Sequence, residues 1–179
     1  MPHAEISSEM ILNRSGISKG SMYHHFHDLD ELIETALLER YARWVEVSVT
    51  AMTSILTSAK TSQEIYLGLV EVTKRTQSRD LRDERFFRAE VLTKANASPR
   101  LANQLQELQK HLTDSLTDLV REAQERGFYK KDLDPKSIAV FIQAYTLGKI
   151  IDDSSDDPVD QDAYARLINT IVKDVFLND

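Results

Sequence analysis

Three histidines stand within four positions, at His24, His25 and His27, and Asp28 follows at once. Imidazole and carboxylate are ligands for zinc and related cations, and His24 and His27, three apart, share one helix face. His25 points about 100° away from His24 on a helix, so it does not join that face. No further ligand follows in the nearby sequence, and no metal is expected. A second stretch, "DDSSD", sets Asp152, Asp153 and Asp156 at a spacing that could hold magnesium against a diphosphate. The third, "ISKGSMYHH", offers donors without acids. Ser18, Lys19, Gly20 and Ser21 would lie at a helix start, where free N–H groups and the helix dipole favour an anion such as phosphate. Tyr23 and His24 can add an O–H and a ring N–H, while Met22 and Phe26, four apart, would face inward.

Helices must position all of these residues. Glycine and proline total nine in 179 residues, and apolar side chains recur at three and four, not at two. The spacing predicts an all-α chain of eight helices, or nine if the long one breaks near residue 45. The first covers about 8–14 and closes at Gly16; the second covers about 18–25. The third runs from about 29 into the 50s, with Asp28 and Glu31 forming a capping box. The next two cover about 62–78 and 80–97. Leu101, Leu105, Leu108, Leu112, Leu116, Leu119 and Ala123 then form the strongest stripe, which stops at Gly127. Pro135 opens a helix reaching Ile151, and a last one carries Tyr164, Leu167, Ile168, Ile171, Val172, Val175 and Phe176.

These last two helices carry broader apolar stripes than terminal helices need. Ala144 and Gly148, four apart, would admit a close backbone, so a homodimer through the last two helices is expected. There are no cysteines, which excludes thiolate metal sites, disulfides and cysteine nucleophiles and suits a reducing compartment. No apolar run approaches the roughly 18 residues of a membrane span, and the polar start has no signal-peptide core. A cytoplasmic protein without a membrane partner is expected. The net charge is −7, and from Asp132 onward ten aspartates face four basic residues. The window from Ser7 to His27 instead holds Arg14 and Lys19 against Glu9 alone, a mildly positive tip on an acidic body.

Two short helices joined by a turn at Gly16, the second opening at a serine cap, have the form of a helix-turn-helix. The stretch "ILNRSGISKGSMYHHFHDLDELIETALLERY" resembles the DNA-binding segment of the TetR (tetracycline-repressor-like) family of transcriptional regulators, over Ser8 to Tyr41. The rest of the chain is similar to that family in its helical plan and in the turn "ERGFYKKDLDP". The resemblance implies a helix-turn-helix DNA-binding domain over residues 1–44 and an effector-binding and dimerisation bundle over 45–179. It implies DNA contacts from Ser18, Lys19, Gly20, Ser21, Tyr23 and His24, with Phe26 in the core. It also implies a ligand cavity whose polar groups would be drawn from Tyr66, Thr73, Glu90, Gln104, His111, Ser115, Gln143 and Tyr145. The expected function is a dimeric, ligand-responsive regulator, repressing by default at a palindromic operator, with no enzymatic activity and no cofactor.

Two departures stand beside the resemblance. Leu29 occupies a position where the family usually has a phosphate-reaching lysine. The family also has an amphipathic helix ahead of the helix-turn-helix, so either residues precede Met1 in the natural chain or the reading head is weakened. The intact recognition residues favour the first. Two alternatives carry different expectations. One is a dimeric small-molecule-binding module that has lost DNA binding. The other is a magnesium enzyme acting on a diphosphate through Asp152, Asp153 and Asp156, on the pattern of all-helical terpenoid synthases. The chain is short for that fold and shows no second metal motif, so these aspartates are expected to be loop caps and solubilising charge.

Overall fold

A computed structural model describes residues 7–178, and the polar start "MPHAEI" lies outside them. Among the described residues there is no strand, only one isolated antiparallel bridge between Tyr129 and Leu177. The chain divides into two compact units, one ending at Arg40 and one beginning at Tyr41.

In the first unit, α1 (Ser8–Ser15) opens at Ser7, whose Oγ accepts from the Met10 N–H at 3.2 Å. It closes on Gly16 at φ 71°, a left-handed position that glycine takes without steric penalty. Next, α2 (Lys19–His25) opens at Ser18, which accepts from the Ser21 N–H at 3.1 Å. Its Met22 is 1% exposed, whereas Phe26 has left the helix for extended backbone and is half-buried. The expected capping box then starts α3 (Leu29–Ser58). Asp28 Oδ1 accepts from the Glu31 N–H at 2.7 Å, and Glu31 Oε2 accepts from the His27 N–H at 2.6 Å. This helix does not break near residue 45 but continues for 30 residues, about 45 Å at 1.5 Å per residue.

The second unit comprises the remainder of α3 with α4 (Ser62–Thr76), α5 (Arg82–Ala95), α6 (Pro99–Glu125), α7 (Pro135–Gly148), the single turn α8 (Ile150–Asp153) and α9 (Gln161–Ile171). A 3₁₀ turn, Arg79–Leu81, stands where α5 was expected to begin. The leucine stripe of α6 supplies Leu101, Leu105, Leu112, Leu116 and Ala123 to the buried core, while Leu108 and Leu119 are half-buried at its edge. Around Val120 and Ala123 gather Leu69, Ile138, Ile168, Val172 and Phe176. Removing a side chain such as Leu112, 1% exposed, would cost about 2–5 kcal/mol through lost transfer energy and cavity formation.

The connections are held by side chains that satisfy helix-end carbonyls. Arg126 donates to the Leu56 carbonyl at 2.6 Å and to that of Ala59, tying the end of α3 to the end of α6. Gln124 donates to the carbonyls of Lys130 and Leu133, both at 2.8 Å, which shapes the turn after Gly127 (φ 78°). The chain end departs from a simple α-helix, because Val172–Phe176 widens into a π turn in which the Leu177 N–H reaches the Val172 carbonyl at 3.2 Å. Asn178 then donates through its side chain to the Gly127 and Tyr129 carbonyls, both at 2.9 Å, fastening the terminus to that turn.

The helix expected to reach Ile151 stops at Gly148 and resumes as α8. Lys149 stands at the interruption. Its side chain is 2% exposed and its ammonium donates to Asp152, with Asp153 Oδ1 at 3.4 Å. Asp153, itself 2% exposed, forms a two-pronged ion pair with the 1% exposed Arg85 of α5, through Nε and through Nη2 at 3.0 Å. Arg85 also donates to the carbonyls of Thr76 at 2.7 Å and Ser78 at 2.9 Å. These aspartates were expected to be solvated loop charge. Asp153 is instead the centre of a buried charge cluster, because α5 brings a guanidinium to it from 68 positions away.

Candidate functional site

Two places in the molecule gather the residues singled out by chemistry, one in each unit. In the first, Ser18, Lys19, Gly20, Ser21, Tyr23 and His24 are all exposed along α2. No acid occupies the first turn of α2. Lys19 Nζ lies 5.9 Å from the centre of the Tyr23 ring, one helical turn on, so the ammonium and the phenol share a face. A Cβ at Gly20 would meet nothing closer than Ser18 Oγ at 3.8 Å. Small side chains at Gly20 and Ser21 thus leave the backbone approachable from outside. The Ser18 hydroxyl is committed as the helix cap and so contributes mainly by shaping this end.

The histidines are placed otherwise than their spacing implies, because α2 ends at His25 and leaves His27 outside the helix. His24 and His25 meet edge to face with ring centres 5.2 Å apart. The ring of His27 turns instead toward Asp28, Nδ1 lying 3.2 Å from Oδ2. Among the described residues no group of three His, Asp or Glu side chains is placed to hold a metal ion.

In the second unit a cavity of about 210 Å³ opens between α3, α4, α5, α6, α7 and the chain end. Trp44, Tyr129, Tyr145 and Phe176 give it an aromatic wall, and Met52, Leu69, Leu112, Leu116 and Ile142 an aliphatic one. Its charged lining is Arg75, Glu84, Arg85 and Arg88. Arg88 is 7% exposed and its guanidinium lies 4.4 Å from the centre of the Trp44 ring. Burial lowers its affinity for the proton, partly opposed by Tyr41 and Glu84. Its Nε has no hydrogen-bond partner. The hydroxyl of Tyr145 is pushed to a higher pKa by burial, against the opposing effect of its hydrogen bond with Thr73.

Of the polar residues expected to face a ligand, Gln143 and Tyr145 line this cavity. Thr73, 1% exposed, stands behind Tyr145 as its partner. Tyr66 packs at the edge of the hydrophobic core and is not in the wall. Glu90 and Gln104 are exposed on α5 and α6. His111 is exposed too, with Nε2 3.3 Å from Glu46 Oε1 and Nδ1 3.5 Å from Ser115 Oγ. Sequence reasoning passed over Arg88 and Glu84. A usable signal existed: Glu84, Arg88 and Val91 fall on one helix face at spacings of four and three, and Val91 is fully buried.

The Asp152–Asp156 stretch is not arranged around a vacant ligand position. Asp152 accepts from Lys149 and from the Val159 N–H at 2.8 Å, which hold its carboxyl below the usual range. Burial would raise the Asp153 carboxyl, but Arg85 and Lys149 outweigh it and hold it low.

The chain has the fold of the TetR-family transcriptional regulators. A TetR-family regulator from Mesorhizobium loti superposes with a TM-score of 0.74 at 15% identity, over 98% of this chain and 89% of that one. A transcriptional regulator from Saccharomonospora viridis, in complex with choline, gives 0.71 at 18% identity over the same shares. GusR of Salmonella enterica gives 0.66 at 24% identity, over 93% of this chain and 84% of that one. No protein-family model and no curated protein matches the chain.

Proposed function

We propose that this chain is a ligand-responsive transcriptional regulator that binds operator DNA as a homodimer. The observation that carries it is the joint presence of two features on one fold: an acid-free, donor-rich α2 in the first unit and a largely apolar cavity in the second. The residues proposed to touch DNA are Ser18, Lys19, Gly20, Ser21, Tyr23 and His24, placed along a helix that a major groove can admit. Lys19 supplies the positive charge and Tyr23 and His24 supply donors to phosphate. The S. viridis regulator's choline complex supports a small-molecule effector for this fold, held here between the aromatic wall and the charged lining.

For the dimer, α7 and α9 carry the supporting surface. Val140, Ala144 and Gly148 follow one another at four-residue spacing, Val140 is 49% exposed, and a Cβ at Gly148 would meet nothing within 4 Å. Ile151 and Leu167 are 81% and 56% exposed. A second copy would cover these strips, and two-fold symmetry would then present two reading heads to a palindrome. Regulation requires the effector to bind the DNA-competent and DNA-free arrangements unequally, since equal affinity shifts nothing.

Binding to the chain's own upstream DNA, followed by fluorescence anisotropy over a salt series, tests the reading. A steep fall of affinity with salt and saturation at one dimer per site are expected. Absence of retention at low salt would leave the ligand-binding module without DNA recognition as the better description.

A further inference from the structure

We infer that the cavity of the second unit takes a compact organic acid carrying a single negative charge, with its carboxylate on Arg88 and its apolar body against the aromatic wall. This rests on the effector-cavity reading above and names the chemical class of its ligand.

Size bounds the body. An apolar cavity of about 150 Å³ accommodates benzene in another protein, so about 210 Å³ suits one ring, or a short chain, with a small head group. Trp44, Tyr145 and Phe176 supply flat apolar surface for such a body.

Charge selects the head group. Although the chain as a whole is acidic, the lining contains three arginines and one glutamate. Arg85 is committed, since four of its N–H groups already donate to Asp153, Thr76 and Ser78. Arg75 is exposed, so water screens it. Arg88 differs from both. It is 93% buried by its 7% exposure, its guanidinium rests on Trp44 within the lining, and its Nε donor is unpartnered. A buried donor without an acceptor carries a desolvation penalty, and an incoming carboxylate that draws the Arg88 side chain toward the cavity would remove it. Glu84, in the same lining, disfavours a second negative charge, which separates a monocarboxylate from a phosphate or a dicarboxylate.

Three probes with one ring and one linker length decide the head group: phenylacetate, 2-phenylethanol and 2-phenylethylammonium, titrated calorimetrically into the full chain. Phenylacetate is expected to bind roughly 10–100-fold more tightly than the alcohol, the range for a hydrogen bond to a charged group. The ammonium is expected to bind weakest. In Arg88→Gln the acid-to-alcohol ratio should approach one, and if that variant does not fold the wild-type series is decisive alone. Alcohol or ammonium binding as tightly as the acid, or no binding by any probe, overturns the inference. Operator binding measured on the same preparation keeps the two readings apart. Retained DNA binding with no preference for the acid removes only the ligand class, and lost DNA binding removes the regulator.

Discussion

Asp153→Asn removes the acid that Arg85 and Lys149 share, leaving Lys149 paired with Asp152 and Arg85 with the Thr76 and Ser78 carbonyls but no carboxylate. Arg85 and Lys149 have side chains 1% and 2% exposed, and Asp153 accepts from both. The amide keeps the volume and one acceptor, but its NH₂ now faces a guanidinium or an ammonium. Breaking a buried pair by deleting one partner costs about 3–5 kcal/mol, because the remaining charge stays desolvated. At about 2–4 °C per kcal/mol for a chain of this length, the melting temperature should fall by roughly 6–20 °C. Urea unfolding followed by circular dichroism at 222 nm gives the free energy, with Asp156→Asn as control. Asp156 is exposed in the same stretch and should change stability by less than about 0.5 kcal/mol. A loss below about 1 kcal/mol for Asp153→Asn, or equal losses for the two variants, would refute the buried cluster as the organiser of the α7–α8 break. The same cluster sets an acid limit. The carboxyls of Asp152 and Asp153 are held below their ordinary values, so their stabilisation is complete above the unfolded-state pKa of about 4 and is lost as pH falls through the lower folded values.

Lys19→Ala should weaken DNA binding to all sequences alike and reduce the salt slope by about 0.9, as expected for one lost phosphate contact. A change in sequence preference without a change in slope would place Lys19 on a base edge instead. Leu167→Glu puts a charge on the exposed strip of α9 and should shift sedimentation from dimer to monomer; a dimer that persists would locate the interface elsewhere. Gly68→Ala places a Cβ 2.7 Å from Ile55 Cγ2, where α3 and α4 approach closely, so a loss of about 1–3 kcal/mol is expected in urea unfolding. Stability equal to wild type would mean that Ile55 moves aside at no cost.

Local signals carried most of the helical plan. Caps at Ser18 and Asp28 and the leucine period of α6 depend on neighbours within a few positions, and each lies where its spacing implies. Two features depend on distant partners and were not legible. Lys149 reads as an ordinary surface lysine until Asp153 is seen to meet Arg85 across 68 positions. The π turn at Val172–Phe176 serves the junction with Phe128 and Tyr129, where Lys130 N–H donates to the Phe176 carbonyl at 2.9 Å, another contact with no local trace. The exposed residues of α2 are nearly consecutive, so a single short stretch sufficed to bring them together. The cavity draws its wall from at least five helices, so a single helix's polar residues could point only to candidates such as Gln143 and Tyr145.

Position in the wall does not by itself make a residue a recognition group; unused hydrogen-bonding capacity does. Gln143 lines the cavity, yet both hydrogens of its amide are engaged at 3.2 Å, one to Thr113 Oγ1 and one to the Ala139 carbonyl. Its Oε1 accepts from Gln109, whose own Oε1 accepts from the Tyr41 hydroxyl at 2.7 Å. Such a chain links α3, α6 and α7, and a ligand that recruited the Gln143 amide would have to break it, at the cost of the orphaned groups. Tyr145 is engaged by Thr73, and the Thr146 hydroxyl donates to the Gln143 carbonyl at 2.9 Å. These groups fix the shape of the cavity through bonds to one another. What the wall leaves available is aromatic surface, and the donor left without a partner is the buried Nε of Arg88, so the shape is set by satisfied polar groups and the choice of ligand by an unsatisfied one.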